Sequence, residues 1–229
     1  MRNSQKNYKA FTLSEVLITL GILGVVIAMT LPALISKYRK QEVSARLKKF
    51  YTIMNQAIMM SELENGDIKY WEIEAAYTTD DGSYDYNVGG ENCNKFFNRY
   101  LAKYIKYYKL TQGYSKENDD GTTSSELSKI YFFDGSTSTI KQGTCIDFGF
   151  DINGDKKPNK NGEDKFYFFI CPHDKGYRLY ATERFSTIGQ RTINTHEKAM
   201  EACKNSRGSC SRLIQIDGWE IKKDYPYKI

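Results

Sequence analysis

Between Asp151 and Phe166 the sequence reads DINGDKKPNKNGEDKF, a run in which oxygen-bearing side chains recur at short intervals. Asp151, Asn153 and Asp155 alternate, and Asn159, Glu163 and Asp164 follow within the same tight loop. An all-oxygen ligand set suits a hard cation, calcium ahead of magnesium, because calcium accepts irregular coordination by about six to eight oxygens. The opening D-x-N-x-D is that of an EF-hand loop, but Lys156 stands where that loop needs glycine and Gly162 where it needs a bidentate glutamate. Lys156, Lys157 and Lys160 offset the carboxylates, so a solvated Asn/Gly turn competes with calcium binding. Ca2+ is the one cofactor the sequence raises.

A second chemical group sits near the start of the chain. From Val16 to Ser36 there is no charged side chain, and Glu15 stands immediately before this run. These 21 residues suffice, at about 1.5 Å each, to cross a hydrocarbon core of about 30 Å. Arg2, Lys6 and Lys9 precede the run, so the positive-inside bias puts the N-terminus in the cytoplasm and the bulk of the chain outside. A carboxylate at that depth is costly unless it is paired, protonated or held at the interface. A plain anchor gains nothing from Glu15. A subunit meeting a neighbour can offer it a positive partner, such as an α-amino group freed by cutting before Phe11.

The segment KAFTLSEVLITLGILGVVIAMTLPALI closely resembles the N-terminus of type IV prepilins and type II secretion pseudopilins. That resemblance implies cleavage of the leader between Ala10 and Phe11 by a prepilin peptidase, with methylation of the new N-terminus. It implies an assembly role for Glu15, at the fifth mature position, and a helix kink at Pro32. Ala10 replaces the family's glycine, and Ser14 stands where a large aliphatic residue is usual. The resemblance implies a pilin fold, other pilin-like subunits as partners, and a membrane platform that lifts them into a filament. The 151–166 loop also resembles the calcium loops of some pseudopilins, though its spacing differs. A secretory signal peptide is a weaker account, since Thr30 to Ser36 offers only a poor small-x-small cut site.

Outside the membrane, disulfides are permitted. Five cysteines are present. Cys203 and Cys210 bracket a short loop, and Cys145 and Cys171 lie on segments expected to be neighbouring strands. Cys93 is left over: free, buried, or paired across subunits. There is no CxxC, and with two histidines a zinc site is poorly provided for. A cysteine nucleophile using His173 or His196 explains the cysteines less economically than pairing does. No hydrolase elbow, phosphate loop or dinucleotide fingerprint occurs, so the chain is not expected to be an enzyme.

The elements that would position these groups follow from periodicity. Val43, Leu47, Phe50, Tyr51, Met54, Ala57, Ile58 and Met60 or Ser61 recur at helical spacing, so an amphipathic helix is expected to continue the membrane span through residues 37–64, ending at Gly66 and Asp67. From Phe11 to Glu64 it would be about 80 Å long. Tyr70 to Glu91 reads as irregular, and Glu91 to Tyr108 as a second helix capped by Asn92 or Asn94. Gly113 to Glu126 reads as a loop. Strands are expected at 129–133, 136–142, 144–150, 165–171 and 176–182, and a short helix at 194–203. Asp217-Gly218 is expected to turn a hairpin between 213–216 and 219–222.

The fold class expected is therefore α+β, pilin-like, with a long N-terminal helix packed on a small antiparallel β-sheet. Its parts would be a leader (1–10), a transmembrane half-helix (11–36), an amphipathic continuation (37–64) and an extracytoplasmic globular domain (65–229). The formal charge of +5 falls to +2 once the three leader cations are removed, which argues against a strongly basic nucleic-acid binder; no specific nucleic acid is expected as a partner. The expected function is a structural subunit of a type IV pilus-like or type II secretion filament, in the cytoplasmic membrane and then in a periplasmic or extracellular fibre. The alternative is a monomeric, membrane-tethered binding module presenting its tyrosine-rich surface.

Overall fold

A computed structural model describes residues 12–74, 85–117, 123–143, 145–172 and 184–229. The leader, with Ala10 and Phe11, and the strand expected at 176–182 lie outside the described residues. The chain divides into two compact units, Met1–Lys40 and Gln41–Ile229.

In the first unit every described residue after Thr12 is helical, as the opening of α1 (Leu13–Asn65). Leu17, Ile22 and Leu34 are each more than half exposed, and so are apolar residues on every side of this stretch. A helix apolar all round is the kind that lipid or other helices cover. Among the described residues α1 is the one helix long and apolar enough to span a bilayer. Pro32 lies inside it.

In the second unit α1 becomes one-sided. Val43, Leu47, Phe50, Met54, Ala57, Ile58 and Ser61 are buried at three- and four-residue spacing, and Ser61 rather than Met60 completes the stripe. The helix stops where Gly66 takes φ +78°, a left-handed conformation that costs glycine nothing.

This face rests on a five-stranded antiparallel meander, β1 (Lys109–Glu117), β2 (Thr123–Tyr131), β3 (Thr137–Gln142), β4 (Ile146–Asp151) and β5 (Lys165–Ile170), in sequence order. Alternation puts Phe148 and Phe150 of β4 and Phe166, Phe168 and Ile170 of β5 inside. Phe50 is the centre of the contact. It stacks on Phe150 at 4.1 Å and meets Phe132, Phe168 and Phe185 edge-on. Truncating such a ring to alanine costs about 3–5 kcal/mol.

Three expectations need correction. The second helix, α2, is Tyr86–Tyr100, not 91–108. Asp85 accepts the Val88 N–H at its start, while Asn92 and Asn94 lie inside the helix, where the Asn92 backbone carbonyl accepts from the Gln142 amide and the Asn94 side-chain oxygen from the Ser128 hydroxyl. The stretch 113–126 is not a loop: β1 and β2 extend through most of it and pair with each other. Backbone pairing there overrides the Ser/Thr/Gly composition. The tail is not a hairpin. Cys210–Ile216 is a helix (α4), and Gly218 (φ +75°) is its terminator. The N–H groups of Trp219 and Gly218 bond back to the carbonyls of Ile214 and Gln215, so the same Asp-Gly pair ends a helix. The short helix expected at 194–203 is α3 (His196–Asn205), capped by the Thr195 side chain.

Candidate functional site

The first functional element is the start of α1. The Glu15 carboxylate accepts from the Thr12 backbone N–H at 2.9 Å and from its hydroxyl at 2.8 Å. In return the Thr12 hydroxyl oxygen accepts the Glu15 N–H at 3.2 Å. This is a capping box: a T-x-x-E pattern in which each residue satisfies an orphan donor of the other. Glu15 therefore helps to start the helix, a role separate from any charge pairing between subunits. Its side chain remains exposed.

The second element is the 151–165 loop. Asp164 is its internal anchor, fully buried, accepting the N–H groups of Asn159 at 2.8 Å and Lys160 at 2.5 Å. Asp151 is buried and accepts the Asn153 N–H at 3.1 Å. Burial, opposed by that N–H and reinforced by the charge of Asp164, pushes the Asp151 carboxyl up to about 7. Asn153 and Asn159 each turn one end of the side-chain amide toward Asp151. With nitrogen inward, Asn153 donates to Asp151 Oδ1 at 2.7 Å and to Lys156 O at 3.0 Å. Asn159 then donates to Asp151 Oδ2 at 2.8 Å and to Gly154 O at 3.2 Å. With nitrogen inward, both amides and both Asp151 oxygens are satisfied within the loop, as in a solvated Asn/Gly turn. With oxygen inward, the Asn153 Nδ2 instead faces Asp164 Oδ2 at 3.3 Å.

Of the six expected calcium ligands the fold thus gathers Asp151, Asn153, Asn159 and Asp164. It withdraws the other two. Asp155 pairs with buried Lys129 at 2.6 Å, and Glu163 with Arg207 at 3.0 Å. Among the described residues no group of three or more His, Cys, Asp or Glu side chains converges as a metal site. The four gathered groups fit a hard cation only with backbone carbonyls completing the shell.

Residues remote in sequence hold this loop in place. The Tyr225 hydroxyl donates to Gly162 O at 2.6 Å. A Cβ at Gly162, where φ is +75°, would come within 3.1 Å of Cys210 Sγ. That sulfur is bonded to Cys203, and the other expected bridge, Cys145–Cys171, is also present. The β4–β5 register explains the latter: Ile146 faces Ile170, so the next residues outward meet. Cys93 is free and buried. Burial pushes its thiol up to about 12, which keeps it protonated and a poor nucleophile.

A family model described as a family of unknown function (DUF6613) matches residues 33–229. The chain belongs to this family. A second model, the prokaryotic N-terminal methylation motif, matches residues 5–31. No curated protein and no solved structure matches the chain. The motif, joined to a long helix on a small sheet, is consistent with a pilin-like fold.

Several site residues escaped the sequence reading. Lys129, Arg207 and Tyr225 lie 22 or more residues away from Asp151 in the chain. No local pattern marks them as its supports. The Thr12–Glu15 cap, by contrast, was available in the T-x-x-E spacing.

Proposed function

We propose that this protein is a pilin-like structural subunit. It is made as a single-pass precursor in the cytoplasmic membrane with its N-terminus inside. A prepilin peptidase cuts between Ala10 and Phe11, the new N-terminus is methylated, and a membrane platform assembles the chain with other pilin-like subunits. The product is a type IV pilus-like or type II secretion filament. No catalytic step belongs to this reading. The observation that carries it is the methylation-motif match over residues 5–31, which runs into the opening turns of a helix that is apolar all round and then becomes one-sided.

In the filament the apolar half-helices bundle, and Glu15 meets the α-amino group of a neighbouring subunit. The attraction has to outweigh desolvation of both charges, which favours one axial register over others. Calcium belongs to the same proposal as the ion of the 151–165 loop, held by Asp151, Asn153, Asn159 and Asp164. The convergence of these four oxygen-bearing side chains in one loop supports it.

The test is the N-terminus and intact mass of the protein isolated from its native membrane. A chain beginning at Phe11 with one added methyl group is expected. A chain beginning at Met1 would overturn the proposal and favour a membrane-tethered binding module.

A further inference from the structure

A cavity of 740 Å3 opens beside α1, bounded by residues 46–60 of that helix, by residues 104–106, and by the turn at 132–136. Its entire lining belongs to the Gln41–Ile229 unit. Phe50, Met54, Ala57 and Phe150 form a floor that is part of the protein core. At the mouth, Met60 is 50% and Phe133 75% exposed. Small-molecule sites occupy roughly 300–1,000 Å3 and are mainly apolar with a few placed polar groups. This cavity fits that description.

Charge and backbone together select the occupant. Arg46, Lys49 and Lys106 line the cavity against one carboxylate, Asp134. Lys49 pairs with Asp134 at 2.8 Å, and Arg46 is held by Glu42 and by the carbonyls of Ile152 and Asp134. Lys106 is exposed, with no carboxylate in salt-bridge range among the described residues. The wall has few backbone groups to offer. Phe132 and Gly135 donate within their own turn, Tyr104 donates to Leu101 O, and the backbone of α1 is bonded along the helix. A peptide would find little to hydrogen-bond there, whereas an acyl chain needs nothing but apolar contact.

We infer that this cavity binds a single-chain anionic amphiphile, a medium-chain fatty carboxylate, with its chain on the Phe50–Ala57 floor and its carboxylate at Lys106. The inference stands whether or not the chain assembles into filaments.

The experiment uses the full chain in nanodiscs of zwitterionic phosphatidylcholine, with dodecanoate carrying a terminal diazirine as probe. After photolysis, adducts are mapped by peptide mass spectrometry. Adducts are expected on peptides containing Met60 and Phe133, and unlabelled dodecanoate should compete better than dodecanol. Lys106→Glu should lower this labelling about fivefold, as for one partly exposed ion pair, while Lys106→Arg retains it. Lys106 is at the surface, so neither variant disturbs the core. Adducts confined to residues 13–36, or labelling indifferent to Lys106→Glu, would overturn the assignment. Labelling that falls as more than one chain is loaded per disc would make a second copy the occupant and overturn it equally.

Discussion

Thr12 and Glu15 close on each other across the first turn of α1, each accepting a backbone N–H of the other. The glutamate that the filament proposal needs as a charge is therefore also a helix cap, and alanine substitution removes both functions. Glu15→Gln separates them, because its amide oxygen still accepts the Thr12 N–H while the charge is gone. If Glu15 acts by pairing with a neighbour's α-amino group, both Glu15→Gln and Glu15→Ala are membrane-bound yet absent from the sheared filament fraction. Normal filament yield from Glu15→Gln would reduce Glu15 to a cap.

The loop proposal makes an asymmetric prediction. Calcium should stabilise the full chain by about 2.7 kcal/mol when free calcium is 100 times the dissociation constant, and raise its melting temperature accordingly. Asp151→Asn and Asp164→Asn should abolish the response. Glu163→Ala should keep it, because that carboxylate serves Arg207. A calcium response lost in Glu163→Ala and kept in Asp151→Asn would mean the ion sits elsewhere.

The two disulfides should differ in worth. Closure entropy grows with the loop enclosed, and the separations are 26 residues for Cys145–Cys171 and 7 for Cys203–Cys210. Replacing the first pair by serine should cost about 3.5 kcal/mol and the second about 2.4 kcal/mol. Each kcal/mol lowers the melting temperature by roughly 2–4 °C in a chain of this size. Thermal melts of both double variants in detergent would reveal a reversed order if strain or packing dominates.

His196 should make the C-terminal region pH-sensitive. Its ring nitrogens lie 2.8 Å from Asp217 and 3.0 Å from Asp224. Hydrogen bonding to Asp217, partly opposed by desolvation, raises its pKa above the usual histidine value, and the charges of both aspartates add to this. The stabilisation is complete below the unfolded-state value, near 6.5, and is lost as pH rises through the higher folded value. Hydrogen-exchange protection at the α4 C-terminus and the 217–225 segment, taken relative to the intrinsic base-catalysed rate at each pH, should fall as pH rises above the ordinary histidine value of about 6.5. His196→Gln should remove that pH dependence, and an unchanged profile would assign it to another group.

Period and residue type made the α1 stripe legible, from Val43 through Ile58, because helical periodicity repeats over many turns. Alternation also placed β4 and β5, and the Asp134-Gly135 turn placed β3. Composition misled at 113–126, where β1 and β2 are held by pairing with each other. It misled again at Asp217-Gly218, since a glycine at positive φ serves a hairpin turn and a helix terminator alike. The short apolar run Leu213–Ile216 does not distinguish strand from helix. Tertiary burial of Leu213 and Ile214 beside the Cys203–Cys210 bridge did.

The sequence by itself determined the membrane-length helix, the methylation motif and the short Cys203–Cys210 bridge, because each is written in residues close together or in a repeating period, whereas the Cys145–Cys171 pair waited on strand register. Only the tertiary structure decided which oxygens of the 151–165 loop stay together. Lys129 from β2 draws Asp155 away, and Arg207 beyond α3 draws Glu163. Partners that distant leave no local pattern, and a carboxylate goes to whichever cation the fold brings within reach.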